Sequence, residues 1–346
     1  MKIHEFYIKR CIQLAKNGFG TTYPNPMVGS VIVYDNKIIG EGWHRKSGES
    51  HAEVNGINSV KDKSLLEKAT IYVSLEPCSH FGKTPPCCDL IIKHKIPNVV
   101  IGTIDPNSKV AGTGIKRLIE SGLNVTVGVL ETECNELNIR FLTFHNKKRP
   151  YIILKWAESQ DGFMAPITKE KKEPVWISNQ FSRQLVHKWR SEEQAILVGT
   201  TTVIDDNPKL DVRDWTGNNP IRIVLDRTGK VSNDYLIKDQ KTKTIVITEQ
   251  ENIASSENCI YENAIFDIQL TKKIADILYK YGIQSLLIEG GRQTLQTFID
   301  TNFWDEARVF SGNIYFKNGI KAPVLNKRHE TEHIKEDQLK LFFNHD

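Results

Sequence analysis

The chain contains 346 residues, of which 39% are hydrophobic and 25% are charged. These proportions are ordinary for a globular protein and exclude a wholly disordered or fibrous chain, and the length predicts about two domains. The 46 basic and 42 acidic side chains leave a net charge of +4. This weak basic excess suits small anionic ligands but falls short of the basic surface of a dedicated nucleic-acid-binding protein.

The first 142 residues alternate between predicted helices and strands. Residues 3–16 have apolar side chains at helical spacing, and Val28–Tyr34 and Lys37–Gly42 form a predicted hairpin. Further helices are expected from His51 onward and over 88–94, 115–121 and 131–142, and further strands over 69–75, 98–104 and 124–129. Alternating strands and helices with short connections predict an α/β layered sandwich.

A polar, basic stretch from His145 to Pro150 separates two predicted domains, at residues 1–146 and 150–346. After it the alternation begins again, with a helix over 178–191 capped by Ser178 and another from Gly290-Gly291 to Ile299. The remaining predicted elements are a helix over 272–281 and strands over 151–156, 195–199, 221–225, 244–248, 285–288, within 307–316 and near 339–343. The second domain is therefore also expected to be α/β.

Neither a membrane span nor a targeting segment is expected. No apolar run approaches the roughly 18–20 residues of a transmembrane helix. The stretch from Met1 to Arg10 is charged and has no apolar core of a signal peptide. These features predict a cytoplasmic protein.

Three of the six cysteines, Cys78, Cys87 and Cys88, lie within eleven positions. A disulfide framework is not expected in a chain of this length without a secretory signal, so the cluster indicates other chemistry. His51, Cys78 and Cys87 form a candidate zinc site, because a catalytic zinc takes three protein ligands and leaves its fourth position to water. Zinc lowers the pKa of that water to about 7.

Glu53 is the candidate proton carrier of this site. Since His51 begins a predicted helix, Glu53 lies within the same turn and can reach the water without holding the metal. Pro77-Cys78 directly follows a predicted strand, which predicts that Cys78 lies at a helix N-terminus, where the dipole favours a thiolate. This layout is typical of zinc-dependent nucleobase deaminases.

Other interpretations of the same residues stay open. The cysteines could be small core residues, or Cys88 or His80 could complete a four-ligand structural zinc site in a binding module without enzymatic activity. A deaminase acting on RNA or a free nucleoside would carry two residues between its cysteines, whereas eight separate Cys78 from Cys87. The intervening segment must therefore loop out and return to the metal, and it carries His80 and Lys83.

Longer motifs resemble a known family. They are Thr22–Gly29, Gly40–His44, His51–Glu53, Glu76–Cys87 and Asp105–Gly114. Together they resemble the bifunctional deaminase/reductase family of riboflavin biosynthesis, whose members share the long cysteine spacing. The resemblance extends over essentially the whole chain, tightly over 20–115 and more loosely after 150.

For the first domain, the resemblance implies a cytidine-deaminase-like fold that removes the 2-amino group of 2,5-diamino-6-(5-phosphoribosylamino)pyrimidin-4(3H)-one. His51, Cys78 and Cys87 would hold one zinc ion, and Glu53 would transfer protons. The pyrimidine and phosphate site would be lined by Asn25, His44, His80 and Lys83.

For the second domain, the resemblance implies a dihydrofolate-reductase-like fold that uses NADPH to produce 5-amino-6-(5-phosphoribitylamino)uracil. The residues themselves carry a weaker signal. The chain has no Gly-x-Gly-x-x-Gly fingerprint, so a Rossmann fold has little support. Gly290-Gly291 before a helix suits backbone contact with a phosphate, but the pair is equally compatible with a turn that binds nothing.

Matching positions imply two groups of binding residues in the second domain. NADPH would contact Ala157, Trp176, Thr202, Asp206, Arg227 and the run Gly291, Arg292, Gln293, Thr294, Leu295, Gln296 and Thr297. The substrate would contact Arg190, Leu210, Arg213 and Glu289. The chain departs from the family pattern over 169–174, at Gln160 and at Arg292-Gln293, which leaves an altered substrate contact near Pro174 open. A working deaminase with a degenerate reductase half is a separate alternative. Members of the family commonly self-associate, so a homo-oligomer is also implied.

Overall fold

The computed structural model describes residues 2–79, 85–106, 112–167 and 175–344, and it divides into two compact units, Met1–Lys147 and Lys148–Asp346. The helices of the first unit are α1 (Lys2–Ala15), α2 (Ala52–Ser59), α3 (Cys87–Lys93), α4 (Thr113–Glu120), α5 (Glu131–Leu137) and α6 (Ile139–Lys147). Its strands are β1 (Gly29–Tyr34), β2 (Lys37–Trp43), β3 (Thr70–Leu75), β4 (Asn98–Thr103) and β5 (Asn124–Val127).

The five strands form one sheet in the order β2-β1-β3-β4-β5. Strand β1 is antiparallel to both its neighbours, and β3, β4 and β5 are parallel. Because side chains alternate along a strand, Val31 packs with α1 on one face, whereas Ile32 packs with α2 and α3 on the other. The unit is therefore an α/β/α sandwich.

The second unit contains helices α7 (Gln180–Glu192), α8 (Thr200–Asp206), α9 (Leu270–Lys280) and α10 (Arg292–Asp300). Its strands are β6 (Tyr151–Ser159), β7 (Phe163–Ala165), β8 (Ala195–Gly199), β9 (Ile221–Leu225), β10 (Thr244–Thr248), β11 (Cys259–Asn263), β12 (Ser285–Ile288), β13 (Glu306–Gly312), β14 (Ile320–Lys321), β15 (Glu330–Ile334) and β16 (Asp337–Phe343).

Nine of these strands form a sheet in the order β11-β10-β9-β8-β12-β6-β13-β16-β15, and β7 pairs with β14 separately. The strands from β11 to β13 are parallel, whereas β16 and β15 are antiparallel to their neighbours. Apolar residues on one face of the central strands pack against α9 and α10. The carboxyl ends of β6, β8 and β12 meet at one edge, the place where open α/β sheets bind ligands.

Two local predictions were wrong. The helix expected over 131–142 is broken into α5 and α6 at Asn138, whose amide group makes two hydrogen bonds with the main chain of Met27. The N-cap of α7 is Asn179, not Ser178, because the Asn179 Oδ1 accepts hydrogen bonds from the backbone of Phe181 and Ser182. Within the described residues, no helix is long and apolar enough to cross a membrane.

Candidate active sites

The first unit brings His51, Cys78 and Cys87 together. Their ligand atoms all lie within 4.8 Å of one another. The His51 Nδ1 is 3.6 Å from the Cys78 Sγ and 3.4 Å from the Cys87 Sγ. In a tetrahedral zinc site with usual bond lengths, a nitrogen and a sulfur ligand are about 3.6 Å apart. The three side chains therefore have both the donor types and the spacing that a zinc ion requires.

Three different elements supply these ligands. His51 is the N-cap of α2, which packs closely on β2 because Gly42 has no side chain: a Cβ there would lie 2.2 Å from the Gly56 nitrogen. Cys78 follows β3, and Cys87 is the first residue of α3. Cys78 was expected to lie at the N-terminus of a helix that follows β3 directly, but no helix begins at Cys78 itself. Its sulfur lies at the N-terminus of α3, where it accepts the backbone N–H of Cys87, 3.3 Å away.

The structure also bears on the alternative of a closed, four-ligand site. Cys88 is not a member of the cluster, and its thiol donates to the backbone oxygens of Pro77 and Gly114. Among the residues that the structure describes, the cluster comprises three ligands. His80, the other candidate for a fourth ligand, and Lys83 lie outside the described residues. The described ligands fit an open site with one position left for water.

Glu53 lies in the first turn of α2 and is buried beside the cluster, with only 3% of its surface exposed. Burial raises the pKa of Glu53 to about 7, and Cys78, His51 and Cys87 are the neighbouring side chains that act on it. Hydrogen bonds from Cys87 and the neighbouring His51 lower the pKa of Cys78 below that of an ordinary thiol. The cluster therefore contains a sulfur suited to binding a cation and, next to it, a carboxyl group that can exchange a proton.

Two of the predicted pyrimidine-binding residues border this cluster. The Asn25 Nδ2 lies 3.1 Å from the His44 Nε2, and the His44 ring is in edge contact with His51, with ring centroids 5.5 Å apart. The other ring nitrogen of His44 lies 3.1 Å from the Ser50 carbonyl oxygen. Burial lowers the pKa of His44 and favours its neutral form. Asn25 and His44 thus form a polar wall next to the metal ligands.

Sequence reasoning assigned no role to Glu76, which the structure shows to be an anchor of this site. Its buried carboxylate accepts backbone hydrogen bonds from Gly112 and Gly114 at 3.0 and 2.9 Å and from Asp105 and Ile115 at 3.3 Å. These contacts cap the N-terminus of α4 and attach it to the end of β3, two residues before Cys78. The position of a glutamate between an apolar strand and Pro77-Cys78 could have indicated a structural role. Its hydrogen-bond partners could not be predicted, because they are far away in the chain.

In the second unit, Arg190 and Glu289 form a buried, bidentate ion pair. The Arg190 Nε and Nη2 donate to the two carboxylate oxygens at 3.0 and 2.7 Å. Lys155, which sequence reasoning did not select, lies beside them with its Nζ 3.9 Å from Glu289, and burial lowers the pKa of Lys155. A lysine inside the otherwise apolar stretch Tyr151–Trp156 could have indicated a functional residue. Two buried cations thus share one carboxylate, which leaves positive charge to attract an anion.

The two other predicted substrate residues lie close to Arg190. The backbone oxygen of Asp211, between Leu210 and Arg213, accepts a hydrogen bond from the Arg190 Nη1 at 3.2 Å. Leu210 is buried and Arg213 is half exposed, with its guanidinium paired to the Asp211 carboxylate at 2.7 Å. The structure therefore brings all four predicted substrate residues into one region.

Glycines allow close packing of the main chain where β8 and β12 end. The backbone N–H of Gly291 donates to the Thr202 hydroxyl at 2.9 Å. A Cβ at Gly199 would lie 2.7 Å from the Thr294 Oγ1, and one at Gly290 would lie 2.6 Å from the Val198 Cα. Helix α10 starts here without a side-chain cap, so its first N–H groups are available to a phosphate. This arrangement fits the diphosphate of a nucleotide cofactor.

The remaining predicted cofactor residues are placed less uniformly. Ala157 lies on β6, Asp206 ends α8, and the exposed Trp176 ring stacks on the Arg183 guanidinium at 4.9 Å. Arg227 is exposed and paired with Glu249 at 2.8 Å.

The predicted cofactor residues on α10 differ in exposure. Arg292 and Gln293 are exposed, and Thr294, Gln296 and Thr297 are half-buried. Leu295 is completely buried in the apolar core of the unit. Pro174 and the segment 169–174 lie outside the described residues.

Comparisons with known proteins agree with this division into two units. Residues 1–103 match the family model described as the cytidine and deoxycytidylate deaminase zinc-binding region, and residues 150–316 match the RibD C-terminal domain. The riboflavin biosynthesis protein RibD of Aquifex aeolicus is 39% identical over 346 residues, which cover 98% of this chain and 95% of that protein. The RibD protein of Escherichia coli is 35% identical over 323 residues, covering 88% and 86%.

Solved structures show the same similarity. A diaminohydroxyphosphoribosylaminopyrimidine deaminase/5-amino-6-(5-phosphoribosylamino)uracil reductase from Thermotoga maritima has a TM-score of 0.87 at 37% identity, with 98% of both chains covered. RibD from Acinetobacter baumannii has a TM-score of 0.87 at 30% identity, with 99% of both chains covered. The chain belongs to the RibD family of riboflavin biosynthesis proteins and carries a deaminase domain followed by a reductase domain.

Proposed function

We propose that the chain first deaminates 2,5-diamino-6-(5-phosphoribosylamino)pyrimidin-4(3H)-one and then reduces the resulting uracil to 5-amino-6-(5-phosphoribitylamino)uracil with NADPH. The observation that carries the first step is the three-ligand cluster of His51, Cys78 and Cys87 with the buried Glu53 beside it. The Thermotoga maritima relative is named for both activities.

In the deaminase unit, the ligand set is that of a catalytic zinc site. Zinc held by His51, Cys78 and Cys87 would lower the pKa of a water molecule so that it loses a proton at neutral pH. The hydroxide would attack the ring carbon that bears the amino group. Glu53 accepts a proton as the new C–O bond forms and returns it to the departing nitrogen, so that ammonia leaves. Asn25 and His44 orient the pyrimidine through hydrogen bonds.

In the reductase unit, the chain supplies binding and a proton. NADPH would supply the hydride that reduces the opened ribosyl chain. The Gly290-Gly291 turn, the Thr202 hydroxyl and the first N–H groups of α10 bind the cofactor phosphates. Arg213 and Arg190 bind the substrate phosphate, and the buried Lys155 donates the proton needed as the ring opens. NADPH as the reductant, a homo-oligomeric assembly and a cytoplasmic location are further parts of the proposal, and they rest on the family resemblance.

One assay tests both steps. The purified protein is given the diaminopyrimidinone phosphate with and without NADPH, while ammonia and the nicotinamide absorbance are measured together. We expect ammonia release in both reactions and NADPH oxidation only after deamination. The deaminated uracil is also supplied directly. If NADPH is still not oxidised, the reductase half is degenerate.

Replacing Glu53 by glutamine tests its assigned role. Glu53→Gln removes the group that transfers protons but keeps its size, so we expect ammonia release to fall at least about a hundredfold. Zinc content, measured by metal analysis, and reduction of the deaminated substrate are expected to stay at wild-type levels. Glu67→Gln is the matched control, since Glu67 is an exposed partner of Lys95 on the same unit. Normal deamination by Glu53→Gln would disprove the role.

A further inference from the structure

One face of α7 carries Arg183, His187 and Arg190, which lie four and then three residues apart and therefore form a single stripe along the helix. All three side chains reach the segment from Leu210 to Asp214, which we call the 210–214 segment. The Arg183 Nε pairs with the Asp214 carboxylate at 2.8 Å, and the Arg190 Nη1 donates to the Asp211 oxygen at 3.2 Å. The middle member, His187, has no role in the function proposed above.

His187 contacts both the main chain of this segment and the side chain of Asp214. Its Nδ1 lies 3.3 Å from the backbone nitrogen of Arg213 and can only accept that N–H. Its Nε2 is 3.6 Å from the Asp214 Oδ2, so the ring hydrogen belongs on Nε2. The ring is 2% exposed, and the charged groups that face it are Arg190, Arg213, Asp214 and Glu289. Burial and the two arginines lower the pKa of His187 to about 4, which agrees with a neutral ring.

The 210–214 segment needs such support. Leu210 has a φ of 52°, a left-handed conformation that is unfavourable for a side chain of its kind. Strained residues persist only where surrounding contacts hold them. The position of the half-exposed Arg213 side chain depends on the same main chain. A contact on the Arg213 backbone therefore determines where both proposed substrate residues point.

We propose that His187 is a positioning residue for the reductase substrate: its buried ring holds the main chain of Arg213, and with it the strained turn at Leu210, so that the Arg213 guanidinium faces the ribose phosphate. This inference rests on the function proposed for the reductase unit. His187 does not touch the reacting atoms, so its loss affects the binding of the phosphorylated substrate more than hydride transfer.

Three variants distinguish the effect of the hydrogen-bond acceptor Nδ1 from the effect of the ring's shape. His187→Phe keeps an apolar ring and removes the acceptor, and His187→Asn places an amide oxygen near the position of Nδ1. His187→Gln places its amide near Nε2 instead. We expect His187→Phe and His187→Gln to raise the KM for the deaminated uracil phosphate about tenfold, because the part-buried Arg213 N–H loses its acceptor. We expect kcat and the KM for NADPH to change less than threefold, and His187→Asn to restore the substrate KM to within about threefold.

The controls keep this test separate from the proposed function. Ammonia release by each variant reports on the first unit and is expected to equal that of the wild type. His333→Phe changes an exposed histidine of the same unit and should leave the substrate KM unchanged. A wild-type protein without reductase activity would refute the proposed function. If the wild type is active but His187→Asn raises the substrate KM as much as His187→Phe does, the positioning role is wrong. Equal increases in the KM for the substrate and the KM for NADPH would also overturn it.

A measurement on the wild-type protein covers the case in which His187→Phe does not fold. Nitrogen-15 NMR of histidine-labelled protein, with His187 assigned from the spectrum of His187→Asn, reports which ring nitrogen carries the hydrogen. We expect a neutral ring with hydrogen on Nε2 at pH 7. Hydrogen on Nδ1, or a charged ring, would contradict the contact with the Arg213 N–H and overturn the inference.

Discussion

Charge compensation governs the reductase site at the level of single residues. Burial alone would raise the pKa of Glu289, but Arg190 and Lys155 outweigh it and lower this pKa to about 2. Glu289 is therefore ionised at neutral pH, and the stability that it contributes is lost only as the pH falls from its ordinary value of 4.5 toward 2. Arg190 holds the carboxylate in place and keeps it charged.

Arg190→Met would leave the Glu289 carboxylate buried without its main partner. We expect the free energy of unfolding to fall by about 3–5 kcal/mol at pH 7, measured by urea unfolding with tryptophan fluorescence. Because the unpaired carboxyl would have a raised pKa, we expect this loss to shrink between pH 7 and pH 5, while the wild type changes little through this group. Lys155, His187 and Asp211 also face the pair and stay unchanged.

The double variant Arg190→Met/Glu289→Leu is the control for this experiment, since it removes the buried charge as well. It should recover most of the lost stability. A double variant as unstable as Arg190→Met would show that packing, rather than the uncompensated charge, explains the loss.

At the level of secondary structure, the break between α5 and α6 connects two distant parts of the deaminase unit. The Asn138 side chain both accepts from the Met27 N–H and donates to the Met27 carbonyl oxygen, each at 2.9 Å. Met27 lies two residues after Asn25, a proposed pyrimidine-binding residue. The helix break therefore helps to place the polar wall formed by Asn25 and His44.

Asn138→Ala would leave a buried N–H and a buried carbonyl group of Met27 without partners. We expect the deaminase unit to lose about 2–4 kcal/mol of stability, seen as a lower midpoint of its thermal transition. We also expect a higher KM for deamination, because Asn25 moves with Met27. Asn124→Ala, which removes an exposed side-chain hydrogen bond to Asn98, is the control and should change neither quantity. An Asn138→Ala protein as stable as this control would refute the anchoring role.

Most elements could be predicted from periodicity, because apolar spacing directly reflects which face is buried. The exceptions have identifiable causes. Strand β15 is a largely exposed edge strand of polar residues and has no apolar alternation to recognise. Ser178 and Asn179 are both good caps, and Asn179 is selected by contacts with Ile334 and Asp337, which are distant in the chain.

At the scale of the whole molecule, the chain divides into two units, each with its own sheet and its own proposed site. The candidate metal ligands His51, Cys78 and Cys87 belong to the first unit, and the Arg190–Glu289 pair belongs to the second. Loss of the metal should therefore affect the two activities differently.

Removing the metal with a chelator is expected to abolish ammonia release and to lower the thermal transition of the deaminase unit. Cys78 and Cys87 would then lose the cation that compensates their sulfurs. Reduction of separately supplied deaminated substrate should continue at the wild-type rate. Adding zinc back should restore ammonia release. If chelation abolishes both activities equally, the reductase activity also depends on the metal.

The α/β class and the family were predicted from the order of residues, and both are confirmed, because alternating apolar segments and the motif from Glu76 to Cys87 are local features of the chain. The candidate metal ligands could also be selected in this way, since few other functions use those residue types together. Folding decided what local order does not encode: that Glu76 anchors α4, that Lys155 shares a carboxylate with Arg190, and that His187 supports Arg213. Each of these contacts joins residues 26 to 134 positions apart, and only the packing of sheets and helices brings such residues within hydrogen-bonding or ion-pairing distance.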